Sequence, residues 1–186
     1  SILDVTITVL SWPFGISGIL IGGLNQLIVI TGVHHIFNML EIQLLAQYKS
    51  NPYNAIITCS VAAQGGATLA VALKTKSAKL KALAFPSAIS AFLGITEPAL
   101  FGVNLRYGKP FLMGLIGGAA GGFVASLLQL KATGMAVTVI PGTLLYLNGQ
   151  VLLYILVNVI ALAVAFALTW MFGFSDKAKK EVEQGQ

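Results

Sequence analysis

Gly94-Ile95-Thr96-Glu97-Pro98-Ala99-Leu100-Phe101-Gly102 lies inside an apolar run from Ala82 to Leu105. It holds the only acidic residue between Glu41 and Asp176. A carboxylate at membrane depth costs roughly 2.5–3.5 kcal/mol on insertion scales, so such a residue marks a functional site by default. Pro86, Gly94, Pro98 and Gly102 argue against one unbroken helix through the run. Lys74, Lys76, Lys79 and Lys81 precede it, and Arg106 and Lys109 follow it. Short Lys/Arg-rich loops stay on the cytoplasmic side. With both flanks on one side, the segment between them enters the membrane and leaves where it came in. That is a re-entrant hairpin with Glu97 near its tip. Irregular backbone at that depth survives only where protein buries it or it lines a wet cavity. Glu97 is therefore expected in the wall of a polar substrate cavity.

Working outward, the chain reads as an all-α integral membrane protein. Of its 186 residues 56% are hydrophobic and only 9% charged, against about 25% charged in soluble domains, and the mean hydropathy is +0.86. The formal charge of +5 owes most to the four lysines before the hairpin. They read as orienting residues in contact with anionic lipid. A nucleic-acid partner would need a basic, aromatic-bearing soluble face, and the sequence has none. The single cysteine, Cys59, sits in an apolar helical context, where a thiol is a small core residue; it permits no internal disulfide and suggests no metal site. No phosphate-cradling glycine loop follows a strand, and no cofactor is implied. Ser1-Ile2-Leu3-Asp4 lacks the basic start of a signal peptide, and the chain reads as entered in mid-protein.

A span needs about 20 apolar residues. Residues 13–30 just meet that, with Asn25 and Gln26 turned towards protein. Residues 53–73, 110–130 and 151–172 meet it clearly. The GxxxG pairs 114/118, 117/121 and 118/122 in the second of these are read as packing inside the protein rather than as a dimer seam. Thr138-Val139-Ile140-Pro141-Gly142 reads as short extended structure and a turn. Residues 1–174 form the membrane-embedded domain, and 175–186 a charged cytoplasmic tail.

Residues 31–41 are too polar for a clean span and read as broken helix lining a cavity. Together with 94–104 they form a pair of interruptions, the usual pointer to a transporter site at the midplane. His34 and His35 are the only histidines. Adjacent on a helix they cannot both face one way, so one turns to the site and the other packs. Asn38, Glu41 and Gln43 suit polar lining, and Glu41 suits equally the wet end of its segment. Asn104 suits the cavity or a cap. Arg106 reads as an interfacial anchor, and Trp12 and Trp170 as belt or packing residues.

Residues 94–106, Gly-Ile-Thr-Glu-Pro-Ala-Leu-Phe-Gly-Val-Asn-Leu-Arg, closely resemble a signature of the sugar-specific membrane C-domains (EIIC) of the bacterial phosphoenolpyruvate-dependent phosphotransferase system, glucose superfamily. Gly32-Val33-His34-His35 and Ala63-Gln64-Gly65-Gly66-Ala67 with Lys74-Thr75-Lys76 agree, and the similarity covers nearly the whole chain. The resemblance implies the C-terminal, sugar-carrying half of an EIIC fold in the bacterial inner membrane. Two re-entrant hairpins would surround the substrate, and a homodimer would form through an N-terminal scaffold that these residues do not include. It implies Glu97 and His34 or His35 as the catalytic pair, hydrogen-bonding the sugar near the hydroxyl to be phosphorylated, with Thr96 as a further contact. The partner would be a soluble EIIB domain whose phosphocysteine donates the phosphoryl group. The wording is most like the sucrose branch, with trehalose and β-glucoside permeases close behind. On this reading the chain is part of a sugar phosphotransferase, and this piece alone is inactive. The rival is an ion-coupled sugar transporter with Glu97 as its proton site.

Overall fold

A computed structural model describes residue 8 and residues 15–32, 35–135 and 138–175. In chain order its helices are α1 (Ile16–Ile30), α2 (His35–Tyr48), α3 (Pro52–Lys74) and α4 (Ala78–Phe92). Next come α5 (residues 97–107, with a π-helical turn at Leu100–Asn104), α6 (Lys109–Leu127) and the short α7 (Val139–Gly142), continued by a 3-10 turn at Thr143–Tyr146. Last is α8 (Val151–Leu168), which ends in a π-helical turn at Thr169–Gly173. The described residues contain no strand, only one isolated bridge between Asn51 and Ala132.

The centre of the molecule is α3. Asn51 caps it, its side-chain oxygen accepting from the Asn54 amide at 3.1 Å, and Pro52 fills the first turn, where a missing N–H costs nothing. Its residues are mostly Ala, Gly, Ser, Thr and Cys, and they are buried nearly all round. Small side chains of this kind let neighbouring backbones close in. Around it pack α6 and α8, also long and apolar enough to cross a membrane. On α8 one stripe, Tyr154, Val157, Asn158, Ala161 and Ala165, faces the core, while Leu152, Ile155, Leu156 and Val159 point outward, the division a lipid-facing helix requires.

The glycines of α6 serve internal contacts to α1, α3 and α8, Gly114 facing Gln64 of α3. A Cβ on Gly122 would lie 2.3 Å from the carbonyl oxygen of Gly18, and one on Gly118 2.4 Å from that of Gly22. Gly117 and Gly121 give the same close approach to Ala165 and Ala161 of α8. The small-residue pattern is thus used within the chain, as the sequence suggests.

The hairpin is present. Its arms are α4 and α5; α4 starts and α5 finishes at the C-terminal end of α3. Lys74 Nζ donates to the Trp170 carbonyl, and Tyr107 meets Phe174 edge-on, ring centroids 5.4 Å apart. Val71, Leu80, Ala84, Val103 and Phe174 form the cluster between them. Fifteen residues of α4 rise about 22 Å, short of a hydrocarbon core of about 30 Å, before Gly94 reverses the chain at φ 95°, a conformation that costs glycine nothing.

Two expectations need correction. The hairpin break falls at Gly94, and Pro86 is carried inside α4 on its exposed side. Residues 139–142 are helical, not extended; only Thr138 is, at φ −132° and ψ 164°. The polar stretch 31–41 is interrupted at its start: α1 ends at Ile30, Gly32 has φ 74°, and α2 runs unbroken from His35. Of the first apolar segment the described part is α1, 15 residues long; residues 13 and 14 lie outside the described residues. Trp12 and the tail from residue 176 lie outside the described residues.

Candidate functional site

Between α1, α2, α3 and the hairpin tip lies a cavity of about 150 Å³. Ile57 and Val61 of α3 line it, and these sit five and nine residues past Pro52, roughly 8–14 Å along the helix. The hairpin contributes Gly94, Thr96 and Glu97, α1 contributes Asn25 and Gln26, and α2 contributes Phe37, Asn38 and Glu41. Thr138 completes the wall. Phe37 and Tyr53 stack at 5.5 Å, 9° from parallel, and form a flat aromatic side. A larger cavity of about 280 Å³ lies between α7 and α8, but apolar side chains dominate its lining, which suits a polyhydroxylated ligand poorly.

Glu41 and Glu97 are the only acidic residues in the described part of the chain, and both line the smaller cavity. No lysine or arginine lines it. Such a lining offers acceptors to hydroxyl donors and repels anions. Glu97 is exposed and opens α5, directly before Pro98. Thr96 is buried beside it.

Glu41 is 1% exposed. Its Oε1 accepts from Asn51 Nδ2 at 3.0 Å and from Asn54 Nδ2 at 3.3 Å. Asn51 Nδ2 also reaches the Gly134 carbonyl at 3.2 Å, and Tyr146 Oη donates to Asn54 Oδ1 at 3.1 Å. Burial first, then the neighbouring Tyr154, Cys59 and Glu41, push the Tyr146 phenol far above its usual value, so it stays a donor. Of the two readings of Glu41, the buried one holds: it is the floor of the cavity, fixed by two asparagines.

Gln26 is the residue the sequence did not single out as a ligand. It is fully buried, and among the described residues neither its Nε2 nor its Oε1 has a hydrogen-bond partner. Buried amides are almost always satisfied, and this one borders an open polar space. The sequence signal was present in Asn25-Gln26 inside an apolar helix.

Asn104, expected as a cavity or capping residue, lies elsewhere. Its Nδ2 donates to the Gln64 carbonyl at 3.0 Å and to Gln64 Oε1, and its Oδ1 accepts from Thr68 Oγ1 at 3.0 Å. It is fully buried and does not line the cavity; it ties the π-turn of the hairpin to α3. His34 lies outside the described residues. His35 is placed by its backbone at the start of α2, two positions before Phe37. Arg106 is exposed at the hairpin's outer end. Cys59 is buried and donates to the Ala55 carbonyl at 3.4 Å. Among the described residues no His, Cys, Asp and Glu cluster suits a metal.

The family model described as phosphotransferase system, EIIC, matches residues 2–118. The sucrose-specific EIIBC component of Salmonella typhimurium is 44% identical over 174 residues, covering 92% of this chain and 38% of that protein. Its counterpart from Bacillus subtilis (strain 168) is 48% identical over 126 residues, covering 68% of this chain and 27% of that protein. The trehalose-specific EIIBC component of Bacillus subtilis is 35% identical over 158 residues, covering 84% and 34%. The chain spans well under half the length of the curated relatives it matches. No solved structure matches it.

Proposed function

Because the chain belongs to the phosphotransferase system EIIC family, we propose that it is the sugar-holding part of a group-translocating permease whose substrate is a disaccharide, sucrose. The observation that carries this reading is the cavity: two carboxylates, an unpartnered buried glutamine and a stacked aromatic pair meet in one space without a cation. Carboxylates and amides hydrogen-bond sugar hydroxyls, and an aromatic face suits the apolar face of a sugar ring. The sucrose-specific names of the relatives from Salmonella typhimurium and Bacillus subtilis support the choice of sugar.

In the proposed reaction the sugar hydroxyl oxygen attacks the phosphorus of a phosphocysteine on an EIIB domain. The sulfur–phosphorus bond breaks, the thiolate leaves, and the hydroxyl proton passes to Glu97 or to a histidine, His34 or His35, acting as general base. Thr96 orients the sugar beside Glu97. Cys59, buried in α3, has no part in this step. Phosphorylation adds charge that keeps the sugar from returning. Lipid surrounds the outer faces of α4 and α8, and a homodimer forms through N-terminal segments outside these residues.

The test is uptake of labelled sucrose into vesicles holding the full-length protein and its phosphoryl-transfer partners. Uptake that requires phosphoenolpyruvate and ignores a protonophore is expected. Uptake driven by a proton gradient alone would assign Glu97 to ion coupling and overturn the proposal.

A further inference from the structure

Val139 adopts φ 52°, the only β-branched residue with a positive φ among the described residues. A left-handed conformation is a genuine outlier for such a side chain and persists only where the surroundings over-determine it. Both of its peptide groups are clamped. Its N–H donates to Thr58 Oγ1 at 2.8 Å, and its carbonyl accepts from Tyr154 Oη at 2.8 Å. With the Tyr154 proton so used, the Thr58 hydroxyl proton goes to Tyr154 Oη at 2.9 Å or to Asn158 Oδ1 at 3.3 Å. Thr58 and Tyr154 are buried, and none of these groups reaches the polar cavity.

What the strained corner delivers is Thr138. That residue lines the polar cavity with Glu97 and Gln26, and its Oγ1 lies against the hairpin turn, 3.1 Å from where a Gly94 Cβ would stand. No hydrogen bond is recorded for the Thr138 hydroxyl among the described residues. A strained peptide held by two buried hydrogen bonds, next to a residue that presents its hydroxyl to a polar cavity, has the form of a preorganised ligand contact.

We propose that Thr138 is a sugar-contacting residue that sets which disaccharide the cavity accepts, and that Thr58 and Tyr154 are positioning residues that hold it there. This rests on the sugar reading above. Thr138 is not among the groups given the reacting proton, so its loss falls on binding rather than on phosphoryl transfer.

The experiment is phosphoenolpyruvate-dependent phosphorylation of sucrose, trehalose and a β-glucoside by the full-length protein, comparing wild type with Thr138→Val, Thr138→Ser and Tyr154→Phe. Loss of one neutral hydrogen bond predicts a KM about 3- to 10-fold higher for the preferred sugar in Thr138→Val, with kcat nearly unchanged. Thr138→Ser should restore the wild-type KM, and Tyr154→Phe should shift KM in the same direction as Thr138→Val. KM reads only the folded, active molecules, so lower yields leave the test intact. An active wild type whose KM for every sugar is matched by Thr138→Val overturns the assignment alone. A wild type that phosphorylates none of the three overturns the sugar reading and the assignment together.

Discussion

Replacing Asn104 with leucine separates a structural tie from a sugar contact. The substitution keeps the side-chain volume and removes three hydrogen bonds to α3. The Gln64 carbonyl keeps its second donor, Thr68 Oγ1 at 2.9 Å, and Thr68 keeps that acceptor. Gln64 Oε1 loses its donor and stays buried. One orphaned buried acceptor costs about 1–3 kcal/mol, and the loss of the remaining bonds brings the sum to about 2–4 kcal/mol. At 1.4 kcal/mol per tenfold, the opened population rises about 30- to 700-fold. Cys59, on the same helix and fully buried, reports that opening through its rate of maleimide labelling, read by mass spectrometry on the peptide that carries it. The expected result is labelling faster by that factor, with the sugar KM of the surviving protein little changed. Unaltered labelling with sugar binding abolished would refute the reasoning and return Asn104 to the cavity.

Gly122→Ala places a methyl 2.3 Å from the Gly18 carbonyl oxygen; overpacking of this kind costs about 1–3 kcal/mol, and thermal unfolding of the purified protein should begin at lower temperature. Glu41→Ala removes the acceptor shared by the Asn51 and Asn54 amides and should destabilise by about 1–3 kcal/mol, measured as the same downward shift. Glu41→Gln, which keeps one acceptor oxygen, should recover part of it.

The three long spans and the hairpin are legible in the sequence because each rests on a property of the residues alone. Apolar length marks α3, α6 and α8, and lysines on both flanks mark the hairpin. Glycine spacing on α6 announces close packing, and the close approaches to Gly18, Gly22, Ala161 and Ala165 bear it out. What the sequence hides depends on partners. Pro86 looks like a break, yet α4 carries it on an exposed side while Gly94 takes the reversal. Asn104 and Thr96 look alike as polar residues in one hairpin. The π-turn lays Asn104 against Gln64 and Thr68, while Thr96 lines the cavity. Gln26 and Thr138 become candidates only when one is found without hydrogen-bond partners and the other behind a strained peptide.

The most direct measurement of the central claim is the chemical form of the sugar made by full-length protein in vesicles with its phosphoryl-transfer partners and labelled sucrose, for wild type and Glu97→Gln. Phosphorylated sucrose in the wild type, and its loss in the variant, is the result predicted. Phosphorylated sucrose made equally well by Glu97→Gln, or sucrose accumulated unmodified by the wild type, would contradict the account.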